Sequence, residues 1–126
     1  MGKFYGKLKT EYINGRIWKI INPDCQFYYI PDGGQAIIPR DGEVTDFASV
    51  PRIFWRIFPP TGDGDTGDWG EPAIIHDTLY KRHDGYSRKM ADDIFLEAMK
   101  DEGVSIWKRK PIYWAVRLFG YFPWKK

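Results

Sequence analysis

The sequence predicts an α+β fold, with a small antiparallel β-meander in the N-terminal half packed on a mainly helical C-terminal half that contains a central helix hairpin. Two observations carry that expectation. Up to about residue 47, turn signals (Asn14-Gly15, Asn22-Pro23-Asp24, Pro31-Asp32-Gly33-Gly34, Arg40-Asp41-Gly42) separate short runs rich in Ile, Tyr, Phe and Trp, the composition of half-buried strands. From residue 48 on, the apolar spacing changes to that of helices, most clearly at Ala91, Ile94, Phe95, Ala98 and Met99, which follow i, i+3, i+4, i+7, i+8. A chain of 126 residues is one domain by size, with 1–47 mostly β and 48–126 mostly α.

Taken in order, strands are expected at Arg16 to Ile21, Gln26 to Ile30, Gln35 to Ile38 and Glu43 to Phe47, spaced as one small sheet. Ser49-Val50-Pro51 starts a short helix that ends at Pro59-Pro60, a Ser cap followed by an early Pro being a helix-start signal. Thr61 to Gly70, rich in Gly and Asp, is a loop. Pro72 opens a helix that ends near Asp84-Gly85, Ser87 caps another running to about Glu102-Gly103, and a last one begins at Pro111 and reaches Phe119.

Composition bounds the function. The six Trp, eight Tyr and eight Phe make 17% of the chain, roughly twice the usual share, and such side chains need burial, a partner or a membrane interface. Net charge is only +2, so the overall field does not gather nucleic acid, and no specific nucleic-acid partner is expected. Charge is unevenly placed, however. Asp63, Asp65, Asp68 and Glu71 form an acidic loop, while Trp107 to Lys126 holds six Lys or Arg and no acid. Trp107, Trp114, Trp124 and Lys125 in that stretch offer a membrane or partner surface; packing onto the protein's own core is the competing expectation. The single Cys25 is read as a half-buried, inert thiol. With no apolar leader at Met1 to Tyr5, synthesis in a cytoplasm without a signal peptide is expected.

The chemistry is concentrated in Ile75-His76-Asp77-Thr78-Leu79-Tyr80 and, one helix later, Ala91-Asp92-Asp93. At about 100° per residue, His76, Tyr80 and His83 share one arc, and Asp92 is placed to reach His76 if the two helices pair while Asp93 is not. That arrangement suits a histidine that takes a proton from water, with Asp92 fixing its tautomer. The same residues also suit a core histidine whose carboxylate partner holds two helices together. Asp77 is then available to ligate a cation, calcium being the hard ion its oxygens and those of the acidic loop prefer. Asp46 and Arg52, beside the helix start at Ser49, are expected to support the site structurally.

Two resemblances follow from these residues. Thr45-Asp46-Phe47-Ala48-Ser49-Val50-Pro51-Arg52, then Ile75 to Tyr80, then Ser87-Arg88 with Ala91-Asp92, resemble the uncharacterised family of small tailed-phage and prophage proteins called domain of unknown function thirteen fifty-three. That resemblance covers about residues 35 to 120 and implies a bacteriophage protein, incorporated in the virion, with other tail proteins as partners. The His-Asp pair, with Tyr four residues after the His and an Asp on the following helix, is similar to phospholipase A2, its parvoviral capsid version included. That similarity implies His76 as the water-activating base, Asp92 as its orienting group, Tyr80 in support and Asp77 as a calcium ligand. The two together lead to the expectation of a virion- or tail-associated protein with a hydrolase-like site aimed at the host envelope, either a phospholipid ester or the cell wall. A non-enzymatic tail component, with the same cluster as a structural network, is the alternative.

Overall fold

The computed structural model describes residues 2–7, 9–14, 17–45, 70–83, 85–119 and 124. Antiparallel strands occupy the N-terminal part and helices the C-terminal part, so the α+β expectation holds. The strands are β1 (Lys3–Tyr5), β2 (Lys9–Asn14), β3 (Ile17–Ile21), β4 (Tyr28–Ile30) and β5 (Val44–Thr45). They form two sheets rather than one meander: β1 pairs with β4, and β3 lies between β2 and β5. The first two strands are absent from the sequence expectation because β2 is an edge strand with polar alternation, Tyr12 and Ile13 being exposed, and an edge strand carries a weak apolar signal.

Cross-strand aromatics fix the registers. Tyr12 lies opposite Trp18 with ring centroids 5.0 Å apart, and Tyr5 stacks on Tyr28 at 4.8 Å. Gly6, with a φ of +73°, closes β1 where a Cβ would stand 2.1 Å from the Gln26 carbonyl, so only glycine fits. The expected strand at Gln35 to Ile38 is reduced to one bridge, in which Tyr29 and Ile37 exchange both backbone hydrogen bonds. Between β3 and β4, the buried Asn22 side chain accepts from the Phe27 amide and donates to the Phe27 and Pro39 carbonyls. One amide group thereby fastens two loops. Cys25 is exposed, contrary to expectation, because it falls in a 3-10 turn at positive φ rather than on a strand.

The helices named among the described residues are α1 (Gly70–Arg82), α2 (Arg88–Asp101) and α3 (Ile106–Phe119). In α1 every residue from Pro72 to Tyr80 is buried, so this is a core helix covered on all sides rather than one with a single apolar stripe. It stops earlier than Gly85 signals, because His83 itself takes the left-handed conformation (φ +62°) and its amide bonds the Leu79 carbonyl, an αL stop. Ser87 caps α2 as expected, its hydroxyl accepting from the Met90 amide. The last helix begins five residues before Pro111, which lies inside it; the proline marks a kinkable point and not a start.

The expected hairpin is α1 against α2, and α3 also packs on α2. The core consists of Ile20, Phe27, Tyr29 and Ile37 from the strands and their loops, with Ile74, Ile75, Leu79, Phe95, Met99, Ile112 and Val116 from the helices. The halves are joined by polar contacts as well: Tyr29 Oη donates toward Asp101 and Glu97 (2.6 and 2.9 Å), and Arg82 donates to the Ile38 carbonyl. The expected short helix after Ser49 and the acidic loop before α1 lie outside the described residues.

Candidate functional site

Asp92 sits where all three helices meet. Its position on the inner face of α2, one residue after the core Ala91, leaves the carboxylate fully buried. A buried carboxylate must be bonded or neutralised, and here each oxygen has partners. Oδ1 lies 2.6 Å from His76 Nε2 and accepts from Tyr80 Oη at 2.6 Å, both from α1; Oδ2 accepts from Arg117 Nη1 of α3 at 2.7 Å. Burial alone pushes the Asp92 carboxyl up, but the hydrogen bonds from His76, Tyr80 and Arg117, with the charge interaction at His76, outweigh it and hold the group below the usual carboxylate range. Asp92 is therefore an ionised acceptor at neutral pH.

That state of Asp92 settles the roles around it. An ionised carboxylate only accepts, so the proton between Asp92 and His76 belongs on Nε2. In the neutral imidazole, Nδ1 then carries the lone pair. Nδ1 is buried and has no hydrogen bond among the described residues. Burial, and next to it the bond to Asp92, pushes the Tyr80 phenol far up, so it stays a donor. The imidazole packs against Tyr80 and Phe95, with centroids at 4.1 and 4.6 Å and ring planes tilted by 41° and 32°. In its neutral form, His76 is a base with a fixed tautomer, packed against two rings, whose Nδ1 no described residue bonds.

Of the residues singled out from sequence, His76, Tyr80 and Asp92 come together. Asp93 does not join them: it takes bonds from Lys89 and Tyr113, as its helix face implies. His83 shares their arc, yet its ring stacks on Trp124 at 3.6 Å and its Nε2 lies 3.1 Å from the Trp124 carbonyl. His83 thus holds Trp124 in place. Trp124, expected at a membrane or partner surface, also packs edge-on against Tyr80 at 5.1 Å and belongs to the core's margin. Trp107 and Trp114 are exposed, as that surface requires. Asp77 turns toward the strands, where its Oδ2 is 3.1 Å from Lys81 Nζ; Lys81 also reaches Glu43 at 3.7 Å and donates to the Val44 carbonyl. Asp46, Arg52 and Lys125 lie outside the described residues.

Arg117 is the member that sequence reasoning missed. Its guanidinium stays charged, raised chiefly by the hydrogen bond to Asp92. The signal was indirect: a buried aspartate calls for a cation, but only the packing of α3 on α2 selects Arg117 from six basic residues in that stretch. Arg88, at the start of α2, caps the end of α3 by donating to the Val116 and Arg117 carbonyls, which holds Arg117 in place. Two clefts lined by described residues, of about 550 and 310 Å³, lie between segment 31–37 and the start of α2. His76 lines neither of them.

The cluster sits inside a sequence region shared with other proteins. A family model described as a protein of unknown function (DUF1353) matches residues 21–116. The chain belongs to the DUF1353 family. The match takes in His76, Tyr80 and Asp92 and ends one residue before Arg117. An uncharacterized protein, y4jT, of Sinorhizobium fredii (strain NBRC 101917 / NGR234) is 32% identical over 95 residues, covering 71% of this DUF1353 chain and 25% of that relative. The chain thus spans about a quarter of the relative's length. No solved structure matches it.

Proposed function

We propose that this DUF1353 protein is a bacteriophage-derived, virion- or tail-associated hydrolase whose His76-Asp92 pair activates water against an ester or a related bond of the host envelope. The observation that carries the reading is His76 Nδ1, buried without a hydrogen bond among the described residues, while Nε2 is committed to an ionised Asp92. A purely structural histidine gains by satisfying both nitrogens; a lone pair on Nδ1 takes a proton from a water that reaches it, which requires the fully buried ring to open to solvent. In the step envisaged, a water gives a proton to Nδ1 as its oxygen bonds the substrate carbonyl carbon. Collapse of the tetrahedral adduct breaks the carbon–oxygen bond to the leaving alcohol, which takes the proton back from Nδ1. Asp92 steadies the transient imidazolium, and Tyr80 and Arg117 keep Asp92 ionised and in place. The likeness to phospholipase A2 supports a phospholipid ester as the bond; cell-wall linkages are the other envelope substrate.

Calcium is the ion that likeness implies, with Asp77 as its ligand. The described residues do not fit it as they stand, because Lys81 already pairs with Asp77 Oδ2 at 3.1 Å and no group of three His, Cys, Asp or Glu suited to a metal occurs among them. A ligand role for Asp77 requires Lys81 to swing away. Millimolar calcium would then raise the melting temperature of the wild type and not of Asp77→Asn.

A second reading has its own support. Asp92 receives donors from two other helices and His76 is fully buried, as a structural hub in a tail protein would be. One variant separates the two. His76→Gln keeps a donor toward Asp92 but removes the base. On the hydrolase reading, wild type releases fatty acid from phospholipid vesicles or muropeptides from cell wall, and the variant folds yet loses on the order of a hundredfold or more in rate. Turnover by neither protein, with incomplete particles for the variant, would leave the structural reading in possession.

A further inference from the structure

We infer that the outer face of α3 is a docking surface for an anionic phospholipid bilayer. The side of α3 turned away from α2 is apolar and uncovered: Trp107 is 85% exposed, Trp114 59% and Leu118 72%, with Ile106 and Phe119 also exposed at the two ends. At about 100° per residue, Trp107, Trp114 and Leu118 fall within an arc of roughly 40°. Burying a stripe of this kind is favourable in any apolar setting, so the chemistry of the occupant has to come from charge.

The charge on this part of the chain has one sign. From Val104 to Lys126 there are six Lys or Arg and no acid. Lys110 is exposed beside the stripe, between the levels of Trp107 and Trp114. Asp92 and Asp93 are bonded to Arg117 and Tyr113 on the packed side of α3, away from Lys110 on its outer face. A second copy of the chain packed stripe against stripe would set Lys110 beside Lys110, like charge against like. An anionic headgroup layer supplies the missing charge, and indole rings favour the headgroup level. A helix of 14 residues is about 21 Å long and would lie in the surface plane. None of the described helices is long and apolar enough to cross a membrane.

The inference depends on the proposed hydrolysis only in naming phospholipid as the substrate class, and binding is measured without turnover, so either can fail alone. The full chain is sedimented with vesicles of phosphatidylglycerol and phosphatidylcholine, and with vesicles of phosphatidylcholine alone, while tryptophan emission is recorded. Wild type should bind the anionic vesicles at least tenfold more tightly than the neutral ones, with a blue shift. Trp107→Ser combined with Leu118→Ser should lose at least tenfold with an unchanged melting temperature, both side chains being exposed; Lys110→Glu should lose the anionic preference alone. Absence of binding, equal binding to both vesicle types, or a concentration-dependent dimer that the same double variant abolishes would overturn the proposal.

Discussion

Single side chains at the site carry loads that differ in kind. Asp92 has three donors, so Asp92→Asn exchanges a charged acceptor for an amide whose NH2 must face a donor, and the expected cost is about 2 kcal/mol at neutral pH. Its pH dependence has a definite sign. The Asp92 carboxyl is held below its ordinary range in the folded chain, so on acidification the unfolded chain takes up the proton first. The stabilisation is complete above the unfolded value of about 3.9 and is lost as pH falls through the folded value. Melting curves from pH 6 to pH 3 should therefore show wild type and Asp92→Asn far apart at the upper end and converging at the lower. Tyr80→Phe removes one of the donors and should cost about 1 kcal/mol, with a larger proportional loss in any hydrolytic rate, because the carboxylate that orients His76 is then less firmly held. Asp93 makes a useful control: it is also depressed against the upward push of its partial burial, by Lys89 and Tyr113, but has no contact with His76.

At the scale of elements, the hairpin of α1 and α2 is what makes the cluster. Its connection is set by the left-handed His83 and by Ser87, whose hydroxyl accepts from the Met90 amide. Ser87→Ala should cost about 1 kcal/mol and, by loosening the first turn of α2, weaken Arg88's hold on the end of α3. Phe95, fully buried, packs on the His76 ring; Phe95→Ala should cost about 3–5 kcal/mol through the cavity it leaves, measured by urea unfolding. Much of α2 was legible in advance, because its apolar positions keep a helical period and its cap is a recognised residue. The start of α3 was not, since Pro111 reads as a first-turn residue when only sequence is available, although the helix begins five residues earlier. Among the strands, β3, β4 and β5 fall within expected segments, whereas β1, of three residues, is defined by the partner it finds and carries little pattern of its own.

For the molecule as a whole, Tyr29 ties the strands to the helices. Its ring is buried in the common core and its hydroxyl reaches two carboxylates of α2. Burial, followed by those hydrogen bonds, pushes the phenol far up, so it remains a donor across the range in which the protein is folded. Tyr29→Phe should cost about 2 kcal/mol, and because both halves share one core, tryptophan fluorescence and far-ultraviolet circular dichroism should still melt together, at a lower temperature. Neighbours along the chain were enough to place strands first and helices after them, the Ser87 cap, the shared arc of His76 and Tyr80, and the opposite facing of Asp92 and Asp93. Local periodicity and capping follow from backbone geometry, so a short window of residues contains them. Only packing settled which strands pair, that Arg117 completes the Asp92 cluster, that His83 stacks on Trp124, and that Lys81 reaches the Val44 carbonyl. Each of these is a contact between residues far apart in the chain or a choice among several eligible partners, and such choices are settled by how the elements pack, which no local pattern encodes.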